Sequence, residues 1–206
     1  MVLKWRSVLA RDRRRPPGFI LPCKPVLSQQ IPTGPEWIHE LKWDGYRIIT
    51  RRDGGTVHLW SQSGRNWADA FPAIVAAIGR LKVESVVLDG EAVCLLDDGR
   101  PDFHGLRSRE GCRNARLIAF DLLGLNGEDL RRMPLSERRK RLADLLGGDD
   151  ALWLSSHVQG AQGEALFRQA CALNLEGIVS KRVDTRYRSG PFPGWRKIKC
   201  PGYVRS

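Results

Sequence analysis

Short strand-forming segments separated by aspartate and glycine turns dominate the first half of the sequence. Residues 37–43 alternate between two faces, which is typical of a half-buried strand, and Asp44-Gly45 breaks the pattern. Residues 46–52 and 56–61 then flank Asp53-Gly54-Gly55, a sequence typical of the turn in an antiparallel hairpin. A chain that begins its regular structure with such tight turns is expected to build antiparallel sheets.

The rest of the chain adds more strands and a few helices. Further strands are predicted over residues 85–88, 91–96, 117–123, 177–181 and 195–199. Helices are predicted over 71–78, from an N-cap at Ser136 to a stop at Gly147-Gly148, and over 162–173 before Asn174. Because strands arrive in runs, the predicted class is α+β, with mostly antiparallel sheets flanked by helices. The proline-rich residues 16–36 are expected to form an extended lead-in.

Several classes of protein and site are excluded by motifs that the sequence lacks. It contains no phosphate-binding P-loop, no Rossmann glycine motif, no G-x-S-x-G and no H-E-x-x-H. No apolar run approaches the roughly 18 residues of a membrane helix, so we expect a cytoplasmic protein with no membrane partner. The five cysteines are odd in number and lack a C-x-x-C, which favours buried, unpaired thiols over a disulfide framework or a zinc site.

The positive charge is concentrated at the two ends of the chain. The net charge is +11, and residues 1–15 hold six basic residues and one acidic one, whereas residues 181–206 hold eight and one. A basic excess confined to two segments suggests a surface for a polyanion, and nucleic acid is the first candidate. The alternative for Arg11 to Arg15 is a basic tail without a binding role.

Five charged motifs in a fixed order carry the chemistry. The first, Lys42-Trp43-Asp44-Gly45-Tyr46-Arg47, places a lysine at a strand end, and the others are Asp89-Gly90-Glu91, Phe120-Asp121, Glu176-Gly177-Ile178-Val179 and Lys197-Ile198-Lys199. Each has an ordinary reading on its own, such as a core position for Phe120 or a solvated strand face for the last pair. All five together are improbable by chance.

With these motifs the chain resembles the covalent nucleotidyltransferases, and most closely the adenylation domain of ATP-dependent DNA ligases of the bacterial end-joining type. The likeness extends from about Pro22 to Lys199 and includes E-L-K-W-D-G-Y-R, L-D-G-E-A-V, A-F-D-L-L, E-G-I-V-S-K-R, Y-R-S-G and W-R-K-I-K. The resemblance implies an ATP-grasp-like nucleotidyltransferase fold, ATP and a divalent metal (magnesium or manganese) as cofactors, and a covalent lysyl-AMP intermediate formed with release of pyrophosphate.

The resemblance also implies a role for each site residue. Lys42 would be the nucleophile, and a lysine amine, with an ordinary pKa of about 10.4, attacks only when neutral, which neighbouring cations favour. The implied nucleotide-binding residues are Glu40 at the adenine, Phe120 against the base, Arg47, Glu91 and Gln62 at the ribose, and Lys197 and Lys199 at the α-phosphate. Glu176 and Asp44 would bind the metal.

Two departures from the family pattern bear on the later steps. The family's S-R-N-G reads Ser61-Gln62-Ser63-Gly64 here, so a glutamine stands where an arginine contacts the ribose and the DNA 5′-phosphate, and Arg65 lies three residues on. Glutamine lacks the charge and forked geometry that suit phosphate. Only seven residues follow Lys199, so we expect a lead-in (1–21), an adenylation domain (22–200) and a tail (201–206), with the oligonucleotide-binding barrel absent.

The resulting hypothesis is an ATP-dependent DNA ligase adenylation domain that serves the sealing of DNA nicks in repair. The expected partners are nicked or broken double-stranded DNA and a separate DNA-binding or end-joining protein, and the chain is expected to be a monomer associated with the nucleoid. Two alternatives remain open. One is RNA ligation or guanylyl transfer, which share the K-x-D-G motif, and the other is a nucleic-acid-binding remnant with weakened catalysis, which Gln62 would fit.

Overall fold

The structure, a computed structural model, describes residues 18–204 and arranges them in two sheets with helices against them. The strands are β1 (Cys23–Leu27), β2 (Trp37–Leu41), β3 (Tyr46–Asp53), β4 (Thr56–Ser61), β5 (Ser85–Val93), β6 (Arg116–Leu125), β7 (Glu128–Asp129), β8 (Leu152–Leu154), β9 (His157–Gln159), β10 (Gly177–Arg182) and β11 (Gly190–Lys199). The helices are α1 (Pro72–Arg80), α2 (Arg109–Arg113), α3 (Leu135–Leu145) and α4 (Gly163–Ala172).

Both sheets are mostly antiparallel, which confirms the predicted α+β class. The first sheet has the strand order β1-β11-β10-β2-β9, and the second has β4-β3-β5-β6-β7 with β8 beside β6. Only the β1–β11 and β6–β8 pairs are parallel among the described strands. The predicted hairpin is confirmed as β3 and β4, which pair from Ile48↔Ser61 to Asp53↔Thr56.

The proline-rich residues 16–36 were predicted to be an extended lead-in without regular structure, but part of them belongs to a sheet. Residues Cys23–Leu27 form strand β1, which lies at the edge of the first sheet beside β11. An edge strand tolerates Pro25 because one of its sides needs no backbone hydrogen bonds. The arginine run from Arg11 to Arg15 lies outside the described residues.

The predicted break between two strands at Asp89-Gly90 was wrong, and the last strand begins at Gly190, five residues before its predicted start. Residues 85–88 and 91–96 were predicted as separate strands, but β5 continues through Asp89-Gly90 because β3 and β6 pair with it on both sides, with a register shift between these two residues. The glycine is needed for close packing and not for a turn, since a Cβ on Gly90 would lie 2.8 Å from the Ile118 carbonyl oxygen.

Helix α3 begins one residue before the predicted N-cap. Pro134 occupies the N-cap position, so Ser136 lies inside the helix. The N–H of Ser136 donates to the Val183 carbonyl at 2.9 Å. The α4 boundary agrees with its prediction, because Asn174 adopts a φ of 54° just past the helix end, as a terminating residue does.

A disulfide joins Cys171 in α4 to Cys200 just after β11, with 5.3 Å between their Cα atoms. The prediction of unpaired thiols was therefore wrong for these two residues, and Cys23, Cys94 and Cys112 are free as expected. The two partners are 29 residues apart in sequence, and only the packing of α4 on the first sheet brings them together.

The two sheets meet in a buried cluster that includes Ile38 and Trp195 from the first sheet and Ile49 and Phe120 from the second. A second cluster fills the space between the second sheet and helices α1 and α3. Within residues 18–204, no helix combines the length and apolar character needed to cross a membrane. The junction of the sheets is where the predicted site residues converge.

Candidate active site

Lys42 lies at the end of β2 and forms an ion pair with Glu176. Its Nζ atom donates to Oε2 of Glu176 at 2.6 Å, and Lys199 Nζ donates to Oε1 at 2.8 Å. The Lys42 N–H also donates to the Gly177 carbonyl at 2.9 Å, which fixes the strand end beside the carboxylate. The sequence-predicted Lys42, Glu176 and Lys199 therefore meet at one point.

The Glu176 carboxylate is buried but remains negatively charged in the presence of two lysines. Burial raises its pKa, and the hydrogen bonds from Lys199 and Lys42 lower it by more, so the net pKa lies below the ordinary value. Gly177, the residue after Glu176, lets the backbone pack closely against β11. Its φ is 137°, and a Cβ there would lie 2.0 Å from the Ile198 carbonyl oxygen. Glycine is therefore required next to the carboxylate.

Arg47 is held by Asp89 across the β3–β5 pair. Its Nε and Nη2 atoms donate to the two Asp89 oxygens at 2.5 and 2.8 Å, and the Tyr187 hydroxyl donates to the same carboxylate at 2.6 Å. The guanidinium lies 4.4 Å from the centroid of the Phe120 ring. Arg47 is thus a fixed cation beside the aromatic ring.

A small cavity of about 70 Å³ lies between the two sheets, and we refer to it as the base cavity. Phe120 and Trp195 contribute aromatic walls, and the Lys181 ammonium lies 4.1 and 4.2 Å from the two ring centroids. The other lining residues include Glu40, Lys42, Trp43, Arg47 and Glu91. Aromatic walls beside fixed polar groups are typical of a site for a planar heterocycle.

A larger cavity of about 520 Å³ adjoins the base cavity and is open to solvent; we refer to it as the outer cavity. The two cavities share Pro25, Lys42, Arg47 and Glu91. Gln62 and Lys197 also line the outer cavity. Arg65 is described by the structure but does not line this cavity. All predicted nucleotide-binding residues except Lys199 line one of the two cavities, and Lys199 reaches the site through Glu176.

Glu91 combines partial burial with an unusual proton affinity. Burial raises its pKa to about 7, although the nearby Arg47 and Lys42 charges oppose the rise. The residue lies opposite Arg47 in the β3–β5 register. Its carboxyl therefore changes charge close to neutral pH at the boundary of the two cavities.

The Glu40 carboxylate points into a buried polar network that sequence reasoning missed. Arg139 Nη1 donates to Oε1 at 2.5 Å, and Lys181 Nζ and Ser155 Oγ donate to Oε2 at 2.8 and 3.0 Å. Burial raises the Glu40 pKa, but the Lys181 and Arg139 charges lower it below its ordinary value. Burial lowers the pKa of Lys181, and Glu40 opposes this only in part. Lys181 belongs to a motif quoted above, whereas Arg139 is one of several basic residues in a helix and carries no distinguishing signal.

The two predicted metal ligands differ in their surroundings. Glu176 forms ion pairs with Lys42 and Lys199. Asp44 is buried and accepts a hydrogen bond from the Tyr203 hydroxyl at 2.8 Å. The described part of the chain contains no group of three or more histidine, cysteine or acidic side chains that could hold a metal by itself. Magnesium commonly takes one or two carboxylates together with substrate phosphates, and these two residues fit that donor set.

The sequence of this chain is similar to a family of DNA ligase domains and to a bacterial end-joining protein. A family model described as "ATP dependent DNA ligase domain" matches residues 23–199. The multifunctional non-homologous end joining protein LigD of Pseudomonas aeruginosa is 40% identical over 189 residues, which are 89% of this chain and 22% of that protein. The chain thus spans about a fifth of the length of this relative.

Solved structures agree with the sequence match. The ligase domain of LigD from M. tuberculosis superposes with a TM-score of 0.72 at 32% identity, covering 86% of this chain and 60% of that one. A mycobacterial DNA ligase D complexed with ATP and MES gives a TM-score of 0.69 at 33% identity, covering 86% and 59%. The predicted site residues, from Glu40 to Lys199, lie within residues 23–199, which the family model matches.

Proposed function

This chain belongs to the ATP-dependent DNA ligase domain family, and on that premise we propose that it transfers AMP from ATP to the Nζ atom of Lys42. The observation that carries the proposal is the convergence of Lys42, Glu176 and Lys199 beside two adjoining cavities. An amine nucleophile that a carboxylate holds in place and a second cation that offsets phosphate charge suit attack on a phosphoanhydride. A related ligase structure contains ATP, which supports this choice of nucleotide.

The transfer forms one bond and breaks one bond at the α-phosphorus. The bond from Lys42 Nζ to phosphorus forms as the bond from phosphorus to the bridging oxygen breaks, and pyrophosphate leaves. The amine attacks in its neutral form, so its extra proton passes to solvent first, and Glu176 Oε2, at 2.6 Å, holds the Nζ atom in place. Lys197 in the outer cavity would offset the charge on the transferring phosphoryl oxygens.

The base cavity would hold the adenine and the outer cavity the ribose and phosphates. Phe120 contributes an aromatic wall for the base, the backbone of Glu40 lies at its edge, and Arg47 and Glu91 line the region shared by both cavities, where the ribose would sit. A divalent metal would be held by Glu176 and Asp44 and would neutralise phosphate charge. We assign these roles as proposals based on the placement of the residues.

We further propose that the adenylated chain serves the joining of DNA nicks or breaks, as the names of its relatives indicate for those proteins. The outer cavity is open and carries Lys24, Lys42 and Lys197, so it can accept a phosphate at a DNA end. A separate end-joining partner, a monomeric state and association with the nucleoid belong to the same proposal. The basic residues in 181–204, apart from the buried Lys181, would add positive charge to the surface that binds DNA.

Covalent labelling tests the proposal directly. The protein is incubated with ATP labelled at the α-phosphate and with magnesium or manganese, and is then separated under denaturing conditions. We expect label on the wild type, none on Lys42→Ala, and full label on Lys140→Ala, which changes a lysine that is 82% exposed on α3. Label retained by Lys42→Ala, or an unlabelled wild type with both metals, would contradict the proposal. Labelling by GTP in place of ATP would favour guanylyl transfer.

A further inference from the structure

Arg139 connects three segments around the base cavity without lining it. From α3, its Nη1 atom donates to Glu40 Oε1 at 2.5 Å and to the Phe120 carbonyl at 3.1 Å, and its Nη2 atom donates to the Ser155 carbonyl at 2.7 Å. Glu40 and Phe120 line the base cavity, whereas Arg139 is absent from the described residues that do so. Its guanidinium therefore acts on the cavity only through other residues.

The segments that Arg139 connects belong to different sheets. Glu40 lies on β2 in the first sheet, and Phe120 lies on β6 in the second. Ser155 strengthens the connection, since its Oγ donates to Glu40 and its N–H donates to the Ala119 carbonyl at 2.8 Å. β2 and β6 contribute Glu40 and Phe120 to the base cavity, and the Arg139 guanidinium is the fork that bridges these two strands.

We propose that Arg139 is a positioning residue that sets the affinity for the nucleotide base and the preference for adenine over guanine. The proposal rests on the proposed function and extends it to a residue outside the cavities. Adenine and guanine differ only in the polar groups at their edges. To distinguish them, the site must keep the strand that carries Glu40 at a fixed distance from the Phe120 ring. A lysine cannot reproduce the fork, because it offers one donor centre in place of a planar set.

Arg139 does not contact the groups that perform the transfer. Lys42 is bound to Glu176, and Arg139 contacts neither of them. Loss of the fork should therefore weaken nucleotide binding and leave the rate of transfer at saturating ATP almost unchanged. This division between KM and kcat separates positioning from a general loss of structure.

The neighbouring Arg138 is a matched control on the same helix. It is fully buried, pairs with Asp121 at 2.7 and 2.8 Å, and donates to the carbonyls of Met133 and Thr185. Its burial and hydrogen bonding are similar to those of Arg139, but none of the residues it bonds lines the base cavity. Arg138→Lys should lower the melting temperature and leave nucleotide selectivity unchanged.

The experiment measures thermal unfolding, equilibrium binding of labelled ATP and GTP, and the KM and kcat of lysyl-AMP formation for both variants. For Arg139→Lys we expect about a tenfold rise in the KM for ATP, a similar loss of ATP affinity and a lower ATP:GTP affinity ratio, with kcat changed by less than about twofold. For Arg138→Lys we expect the wild-type KM and ratio.

An unchanged KM and ratio in folded Arg139→Lys, or an equal rise in KM for Arg138→Lys, would overturn the proposal. If Arg139→Lys does not fold, Glu40→Gln weakens the bond that Arg139 makes to Glu40 and should change the ratio in the same direction; an unchanged ratio then refutes the role. A wild type that binds ATP but forms no lysyl-AMP contradicts the proposed function, while the binding ratios still decide the role of Arg139. A wild type that binds neither nucleotide overturns both.

Discussion

The carboxylate of Asp89 receives two hydrogen bonds from the guanidinium of Arg47, and together they form a buried ion pair under the proposed ribose site. Asp89 is fully buried and also accepts the Tyr187 hydroxyl, whose oxygen in turn accepts the N–H of Cys23 at 2.8 Å. The pair thus connects the second sheet, through Tyr187, to strand β1 of the first sheet.

Asp89→Asn should destabilise the fold, because it leaves the Arg47 charge buried without its counter-charge. We expect a loss of about 3 to 5 kcal/mol in the free energy of unfolding, measured by urea denaturation. Asp98→Asn is the control, since Asp98 pairs with Arg100 on the surface, and it should cause no measurable change. A loss that is equally small for both variants would show that the buried pair contributes little.

Glu91 should make stability depend on pH in the direction opposite to most carboxylates. Its folded-state pKa of about 7 lies above the ordinary 4.5, so the native state binds more protons between these values and stability falls as pH rises through that window. Glu91→Gln should therefore be more stable than the wild type at pH 8, by on the order of 2 kcal/mol, and no more stable at pH 4. Urea unfolding at both pH values measures the difference, and the exposed Glu128→Gln is the control. An advantage of equal size at both pH values would refute the role of protonation.

Gln62→Arg should strengthen the step that involves the DNA phosphate. Gln62 is exposed at the outer cavity, where an arginine could form a charge-assisted hydrogen bond, and we expect about a ten- to hundredfold gain in sealing of a pre-adenylated nick. Arg65 does not line that cavity, so Arg65→Gln should leave sealing unchanged. If Arg65→Gln reduces sealing and Gln62→Arg adds nothing, Arg65 already fills the role.

The disulfide should contribute measurably to stability, because it closes a loop of 29 residues. Chain entropy predicts a loss of about 3 to 4 kcal/mol in the free energy of unfolding when Cys171→Ser removes the bond, or when a reductant is added. Cys112→Ser, which changes a free thiol, is the control. A thiol count on denatured protein should give three free cysteines in the wild type. Five would show that the bond does not form in solution.

Local signals in the sequence were sufficient for the hairpin of β3 and β4 and for the end of α4. They were insufficient where distant strands decide the outcome. Asp89-Gly90 has the composition of a turn, yet pairing on both sides keeps β5 continuous through it. The Cys171–Cys200 bond likewise depends on packing between α4 and the end of β11.

The sequence indicated most residues that line the two cavities, but not the buried residues that hold them in place. The resemblance carried by the ordered motifs implied Lys42, Glu91, Phe120 and Lys197, all of which line the two cavities. The buried support was not predictable, because an arginine such as Arg139 has the same local pattern as the exposed Lys140 beside it. Only the folded chain shows which of two adjacent cations faces inward.

The Lys42–Glu176 pair joins residues that are 134 positions apart in the chain. During synthesis the lysine leaves the ribosome long before its carboxylate partner exists, and contacts of such long range also form slowly. Lys42, the proposed nucleophile, therefore lacks this partner until β10 has paired with β2. On the proposed function, reactivity toward ATP would be acquired at the end of folding, and labelling of Lys42 would report that the whole domain has assembled.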